Sequence, residues 1–159
     1  MSTTTRSGSC QCRGVTYQIE GDPLMVYACH CSDCQKRTGS AFSMGMIYPL
    51  LAISVSGKLS AWTRTSDAGD SNTRQSCQQC GNVIYGEGSA TPDIIKLQAG
   101  TLDDTSDVFA HAHIWTQSAQ PWFELPSGAI QHPTQPENIL EIYEAVVKQQ
   151  AQHESNRPT

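Results

Sequence analysis

No run of about 18 consecutive apolar residues occurs in this chain, so no membrane-spanning helix is expected in its 159 residues. Positive charge is scarce. Ten Lys and Arg against 15 Asp and Glu leave a net charge of -5, which disfavours nucleic acid, because a nucleic-acid partner selects a basic face. The first nine residues lack the apolar stretch of a secretion signal, so a cytoplasmic, reducing setting is expected. Helical periodicity is almost missing as well. Neither an internal repeat nor a linker composition interrupts the chain, and its length suits one domain. That domain is expected over 10–150, with disordered tails at 1–9 and 151–159.

Cysteine is what the chain has in quantity. Seven is an odd number, so a closed disulfide framework would leave one thiol over. In a reducing compartment, clustered cysteines point to metal binding or catalysis. They fall as Cys10-X-Cys12, as Cys29-His30-Cys31-Ser32-Asp33-Cys34, and as Cys77-Gln78-Gln79-Cys80 followed by Gly81.

Between these groups the pattern is mostly that of strands. Residues 15–19 alternate apolar and polar, which predicts a strand with one face buried. Residues 24–28 predict a second strand that leads into Cys29. Gly39 suits the end of a short helical turn over 35–40. Strands are predicted at 41–48, with Gly45 marking a bulge or a close backbone approach, then at 51–55, 59–64, 83–85, 94–99 and 111–115. Residues 66–72 read as a polar loop. One helix is predicted, over 137–150, with Ile139, Leu140, Tyr143, Val146 and Val147 at helical spacing; this stripe serves packing or the docking of a second subunit. The class is therefore mainly β.

The cysteines divide in two ways. Cys10 and Cys12 can complete Cys77 and Cys80 as a closed four-thiolate zinc site, leaving Cys29, Cys31 and Cys34 together. Alternatively Cys31, Cys34, Cys77 and Cys80 form a zinc ribbon and three thiols stand idle. Spacing favours the first division, since it uses every cysteine. The triplet is then either a second structural site, completed by His30, His111 or His113, or a zinc with an open coordination position, as catalysis requires. A bound thiolate is also the nucleophilic form of sulfur, suited to a reaction with an external thiol.

At this point the residues resemble the glutathione-dependent formaldehyde-activating enzymes, whose domain is shared with centromere protein V. The resemblance rests on four ordered blocks. They are Gly8-Ser9-Cys10-Gln11-Cys12 with Val15 and Tyr17; Cys29-His30-Cys31-Ser32-Asp33-Cys34-Gln35-Lys36-Arg37-Thr38-Gly39-Ser40-Ala41-Phe42; Cys77-Gln78-Gln79-Cys80-Gly81; and His113-Ile114-Trp115 ahead of Pro121-Trp122. It implies a β-tent of stacked antiparallel sheets with zinc knuckles and two zinc ions. The structural zinc is matched by Cys10, Cys12, Cys77 and Cys80, and the catalytic one by Cys29, Cys31 and Cys34. The implied activity is the condensation of glutathione with formaldehyde to S-(hydroxymethyl)glutathione, formally a carbon–sulfur lyase run in reverse. Two positions depart from the family pattern: Arg13 stands where glycine is frequent, and Gln35 where arginine is frequent. Candidate substrate-binding residues are Gln35, Lys36, Thr38, Gly39, Ser40 and His113, with Arg37 beside Lys36 as a second cation for glutathione carboxylates. The alternative is a protein without turnover, either a glutathione or formaldehyde carrier or a structural zinc module. A small thiol is the expected partner, with no nucleic acid and no membrane.

Overall fold

The structure is a computed structural model and describes residues 4–66 and 69–155. The chain divides into two compact units. One takes the residues up to Leu24 together with Gly45–Val108, and the other takes Met25–Met44 together with the residues from Phe109 onward. Strand outweighs helix, as the sequence predicts.

In the first unit, β1 (Thr5–Ser9), β2 (Val15–Glu20) and β5 (Ile53–Gly57) make a three-stranded antiparallel sheet in the order β1-β2-β5. Alternation along β2 is the cause of its placement. Val15, Tyr17 and Ile19 are buried while Thr16, Gln18 and Glu20 are exposed. Tyr17 lies opposite Gly8 on one side and Val55 on the other, and its hydroxyl meets Thr101 Oγ1 at 2.8 Å. Gly57 ends β5 at φ +110, and a Cβ there would strike the carbonyl of Gly14. Only glycine accepts both conditions.

The same unit holds β4 (Ser43–Pro49) from Gly45 onward, β6 (Leu59–Thr65), β7 (Ser71–Cys77), β8 (Val83–Gly88) and β9 (Thr91–Gln98), antiparallel in the order β4-β9-β8-β7-β6. Met46, Tyr48, Ile84, Ile95 and Leu97 supply its buried core. A buried side chain of this size contributes about 1.5–3 kcal/mol over its exposed state.

The second unit contains β3 (Met25–Cys29), α1 (Ser32–Thr38), β10 (Ala112–Ile114), β11 (Ile130–His132) and α2 (Ile139–Ser155). β10 lies between β3 and β11, parallel to both. Along α2, Ile142 and Val146 are buried.

Several expectations need correction. Residues 5–9 are a strand rather than a tail: polar side chains on β1 hide a backbone that pairs with β2 from Thr5↔Glu20 to Ser9↔Thr16. Residues 151–155 continue α2, because Ala, Gln and Glu favour helix; 1–3 and 156–159 lie outside the described residues. Gly45 makes no bulge against β9, since β4 and β9 stay in register from Gly45↔Gln98 to Pro49↔Ile94, which leaves the close backbone approach as its other reading. The bulges occur instead at Gln75/Ser76 and Gly86/Gly88. Tyr143 and Val147 are 38% and 43% exposed, so the apolar stripe of α2 is narrower than its spacing suggests. β7 begins inside the expected polar loop, β8 runs past 85, and β11 was not anticipated at all. No helix among the described residues is long and apolar enough to cross a membrane.

Candidate metal centres

Cys10, Cys12, Cys77 and Cys80 bring their sulfurs within 4.8 Å of one another. Cys10 Sγ lies 3.5 Å from Cys12 Sγ, which lies 3.7 Å from Cys77 Sγ. Four sulfurs placed tetrahedrally around zinc at about 2.3 Å are about 3.8 Å apart, so the set has the right dimensions for that ion. Two turns build it. In the first, Arg13 N–H donates to Cys10 C=O at 2.9 Å, and Val15 and Gly14 N–H point at the sulfurs of Cys10 and Cys12 at 3.2 and 3.4 Å. In the second, Gly81 N–H donates to Cys77 C=O and Cys77 N–H to Asn82 C=O, both at 2.9 Å. The N–H groups of Asn82 and Cys12 hold the Cys80 thiol down to about 6. Amide donors aimed at sulfur favour thiolates, the form that ligates metal.

Both turns pass through a left-handed residue. One is Gly81 at φ 74, the other Arg13 at φ 61. A side chain in that region costs about 1–2 kcal/mol, part of which glycine would return as unfolded-chain entropy. Arg13→Gly is therefore expected to raise stability by about 0.5 kcal/mol in urea titrations. A loss of stability would mean that the arginine side chain holds the turn.

Cys29, Cys31 and Cys34 form a second group with sulfurs inside the same 4.8 Å limit, and among the described residues no histidine or carboxylate atom joins them. Cys29 ends β3, and Cys31 caps α1, its sulfur accepting the Cys34 N–H at 3.4 Å. The Cys31 thiol is shifted strongly down, first by the thiols of Cys29 and Cys34 and then by the N–H groups of Cys34 and Asp33. Cys29 is shifted up, chiefly by its hydrogen bond to Cys31 and next by that to Cys34. These hydrogen bonds favour the thiolate form within the group, and Arg37 Nη2 stands 3.9 Å from Cys34 Sγ.

The loop carrying these sulfurs is held from three directions. His30 N–H donates to Ile114 C=O at 3.0 Å. Gln35 Nε2 donates to His30 C=O at 2.7 Å and to Ser118 C=O at 2.9 Å, and its Oε1 accepts from Gln120 Nε2 at 2.6 Å. The His30 ring, fully buried, meets His113 Nδ1 through Nε2 at 2.9 Å. Phe42 and Phe123 flank it, with ring centroids 5.1 and 5.4 Å away. Burial lowers the pKa of both histidines, so one neutral ring donates to the other.

The sequence-predicted candidates are therefore distributed unevenly. His113 is buried and faces His30, and every polar atom of the Gln35 amide is engaged within the protein. Thr38 Oγ1 donates to Cys34 C=O at 2.9 Å and accepts from Ser40 N–H at 3.3 Å. Gly39 closes α1 at φ 62, its N–H on Gln35 C=O. Lys36, Thr38, Gly39 and Ser40 are exposed. Sequence reasoning missed the His30–His113 bond, the clamp from Gln120 and Ser118, and the Arg37–Ser43 hydrogen bond at 2.6 Å. Partners 83 and 85 residues away leave no local signal.

Comparison with known proteins agrees with these features. The family model described as glutathione-dependent formaldehyde-activating enzyme matches residues 5–118. A protein of Emericella nidulans, provisionally named a glutathione-dependent formaldehyde-activating enzyme, is 34% identical over 77 residues. That stretch is 48% of this chain and 39% of the relative, so the chain spans about two fifths of that protein's length. A crystal structure of a Rhodobacter sphaeroides protein shares the fold, with a TM-score of 0.51 at 17% identity, over 64% of this chain and 91% of that one.

Proposed function

The chain belongs to the glutathione-dependent formaldehyde-activating enzyme family, and from that premise we propose that it joins glutathione to formaldehyde at Cys29, Cys31 and Cys34. The reaction forms one carbon–sulfur bond. The sulfur electron pair enters the formaldehyde carbon, the C=O π pair moves to oxygen, and the thiol proton ends on that oxygen to give S-(hydroxymethyl)glutathione. Run backwards, it is a carbon–sulfur lyase. One observation carries the reading: three thiols stand together and, among the described residues, no histidine or carboxylate completes them. That set fits a zinc ion with one position left for a ligand from outside.

Zinc held there would supply a Lewis-acidic centre that keeps an incoming thiol deprotonated at neutral pH. Everything else is the work of the chain's own residues. Gln35 and the His30–His113 pair fix the loop. Arg37 offsets negative charge on the triplet from beside Cys34. Lys36, Thr38, Gly39 and Ser40 form the exposed end of α1, where we place the glutathione carboxylates. Cys10, Cys12, Cys77 and Cys80 would hold a second, structural zinc. All seven cysteines are free thiols, which fits a reducing compartment such as the cytoplasm.

The test is exchange NMR with 13C-formaldehyde and glutathione. The metal-loaded protein at about one part in a hundred is expected to accelerate exchange between hydrated formaldehyde and S-(hydroxymethyl)glutathione by at least about tenfold over buffer. Stoichiometric binding of glutathione with an unchanged exchange rate would replace the enzyme with a carrier.

A further inference from the structure

Away from the sulfurs, one row of residues crosses the antiparallel strands of the first unit. Ile47 lies opposite Lys96, Lys96 opposite Gly86, Gly86 opposite Arg74, and Arg74 opposite Trp62. Directly paired residues project to the same side of a sheet. The Lys96 ammonium, the Arg74 guanidinium and the Trp62 indole therefore share one face, with a glycine between the two cations. Arg64 pairs with Asn72, and Asn72 with Gly88, which puts a third cation on that face.

The glycines give these heads their room. Arg74 Nη1 occupies the space a Cβ on Gly86 would need. Lys96 Nζ and Asn72 Oδ1 lie 3.1 and 3.4 Å from where a Gly88 Cβ would stand. Lys96 is half-buried, and its ammonium makes no hydrogen bond or ion pair among the described residues. Burial lowers its pKa, and the charge of Arg74 lowers it further. An ammonium partly withdrawn from water, without an acceptor and beside another cation, is destabilising. Trp62, the neighbour of Arg74 in the row, is 63% exposed.

We propose that this face of β6–β9 binds the oxyanion, carboxylate or phosphate, of a small organic molecule, with Lys96 and Arg74 on the anion and Trp62 against the rest of the ligand. The anion supplies the acceptor that Lys96 lacks, and the row of glycines lets both cations converge on it. The inference stands apart from the reaction proposed for the thiol triplet.

The experiment is calorimetric titration of the metal-loaded protein with inorganic phosphate and with S-methylglutathione, whose blocked sulfur cannot serve as a thiolate. Saturable binding of at least one is expected, and the tighter of the two identifies phosphate or carboxylate as the source. Lys96→Met is expected to weaken binding by at least about tenfold, and Lys96→Arg to keep it within about threefold. The ligand-free Lys96→Met protein should also melt about 1–3 °C higher than wild type, because it has lost an uncompensated charge. No saturable binding of either probe up to about 50 mM, or an unchanged affinity in Lys96→Met, overturns the proposal. A lower melting temperature in the Lys96→Met variant with no probe effect would make Lys96 a packing residue instead.

Discussion

Cys77→Ser is expected to remove one equivalent of zinc from the purified protein and to lower its thermal midpoint by about 10 °C. Cys77 is buried at the end of β7, and its sulfur lies 3.7 Å from that of Cys12, on a segment 65 residues away in sequence. A metal at this point crosslinks the β1–β2 turn to the β7–β8 turn. Apparent binding energies of about 10–16 kcal/mol are typical of structural zinc in small peptides. Serine is a poor zinc ligand, and the three remaining sulfurs would hold the metal with a fraction of that energy. A net loss of about 3–5 kcal/mol is expected, and for a chain of this size each kcal/mol moves the midpoint by about 2–4 °C. Acidification should act in the same direction, because protons compete with zinc for the thiolates. Elemental analysis and circular dichroism melting decide the matter. A variant that keeps its full zinc content and melts with the wild type would show that the four sulfurs hold no metal.

The sulfur group is also where the sequence was most readable. Two pairs with short spacings, and a triplet left over, are a counting argument that needs no geometry, and the structure collects the sulfurs in those same two sets. Strand β2 was equally plain, because Val15, Tyr17 and Ile19 alternate with polar residues and face a core. The failures share a cause. Apart from Gly8 and Cys77, β1 and β7 are built from Ser, Thr, Asn, Arg and Gln, and pairing of their backbones, not burial of apolar side chains, makes them strands. Hydrophobic periodicity has nothing to report there. Arg13 is a different case. The sequence showed an unexpected side chain where the family tends to have glycine, and the backbone at φ 61 supplies the physical meaning of that departure. The surroundings of the triplet were illegible because they depend on contacts across more than 80 residues. His30 could be read only as a residue between two ligands, and Gln35 only as a change beside them. The structure turns both into parts of the clamp that holds the loop. The cationic row through Lys96 was hidden for the same reason, since it exists only once the register of β6–β9 is known.

The triplet itself permits a cleaner separation of chemistry from stability than Cys77 does. Cys31→Ser is expected to return glutathione–formaldehyde exchange to its rate in buffer, a loss of at least about tenfold, while moving the thermal midpoint by no more than about 3 °C. Cys31 has two separable duties. Its sulfur is one of three available to a metal, and the same atom caps α1 by accepting the Cys34 N–H. Serine ranks among the preferred residues at a helix N-cap, so the hydroxyl keeps the second duty and drops the first. Cys31→Ala drops both and should lie about 1 kcal/mol below Cys31→Ser in stability, the usual worth of a cap. The pair of variants therefore yields two numbers that one role alone could not produce. Equal inactivity in both, with a stability gap between them, identifies the sulfur as the group the reaction needs and the cap as a separate contribution. Full exchange activity in Cys31→Ser would remove Cys31 from the chemistry, and with it the case for an open metal position at this site. If instead Cys31→Ser were inactive but also lost cooperative melting, the sulfur would be holding the second unit together, and the triplet would be structural.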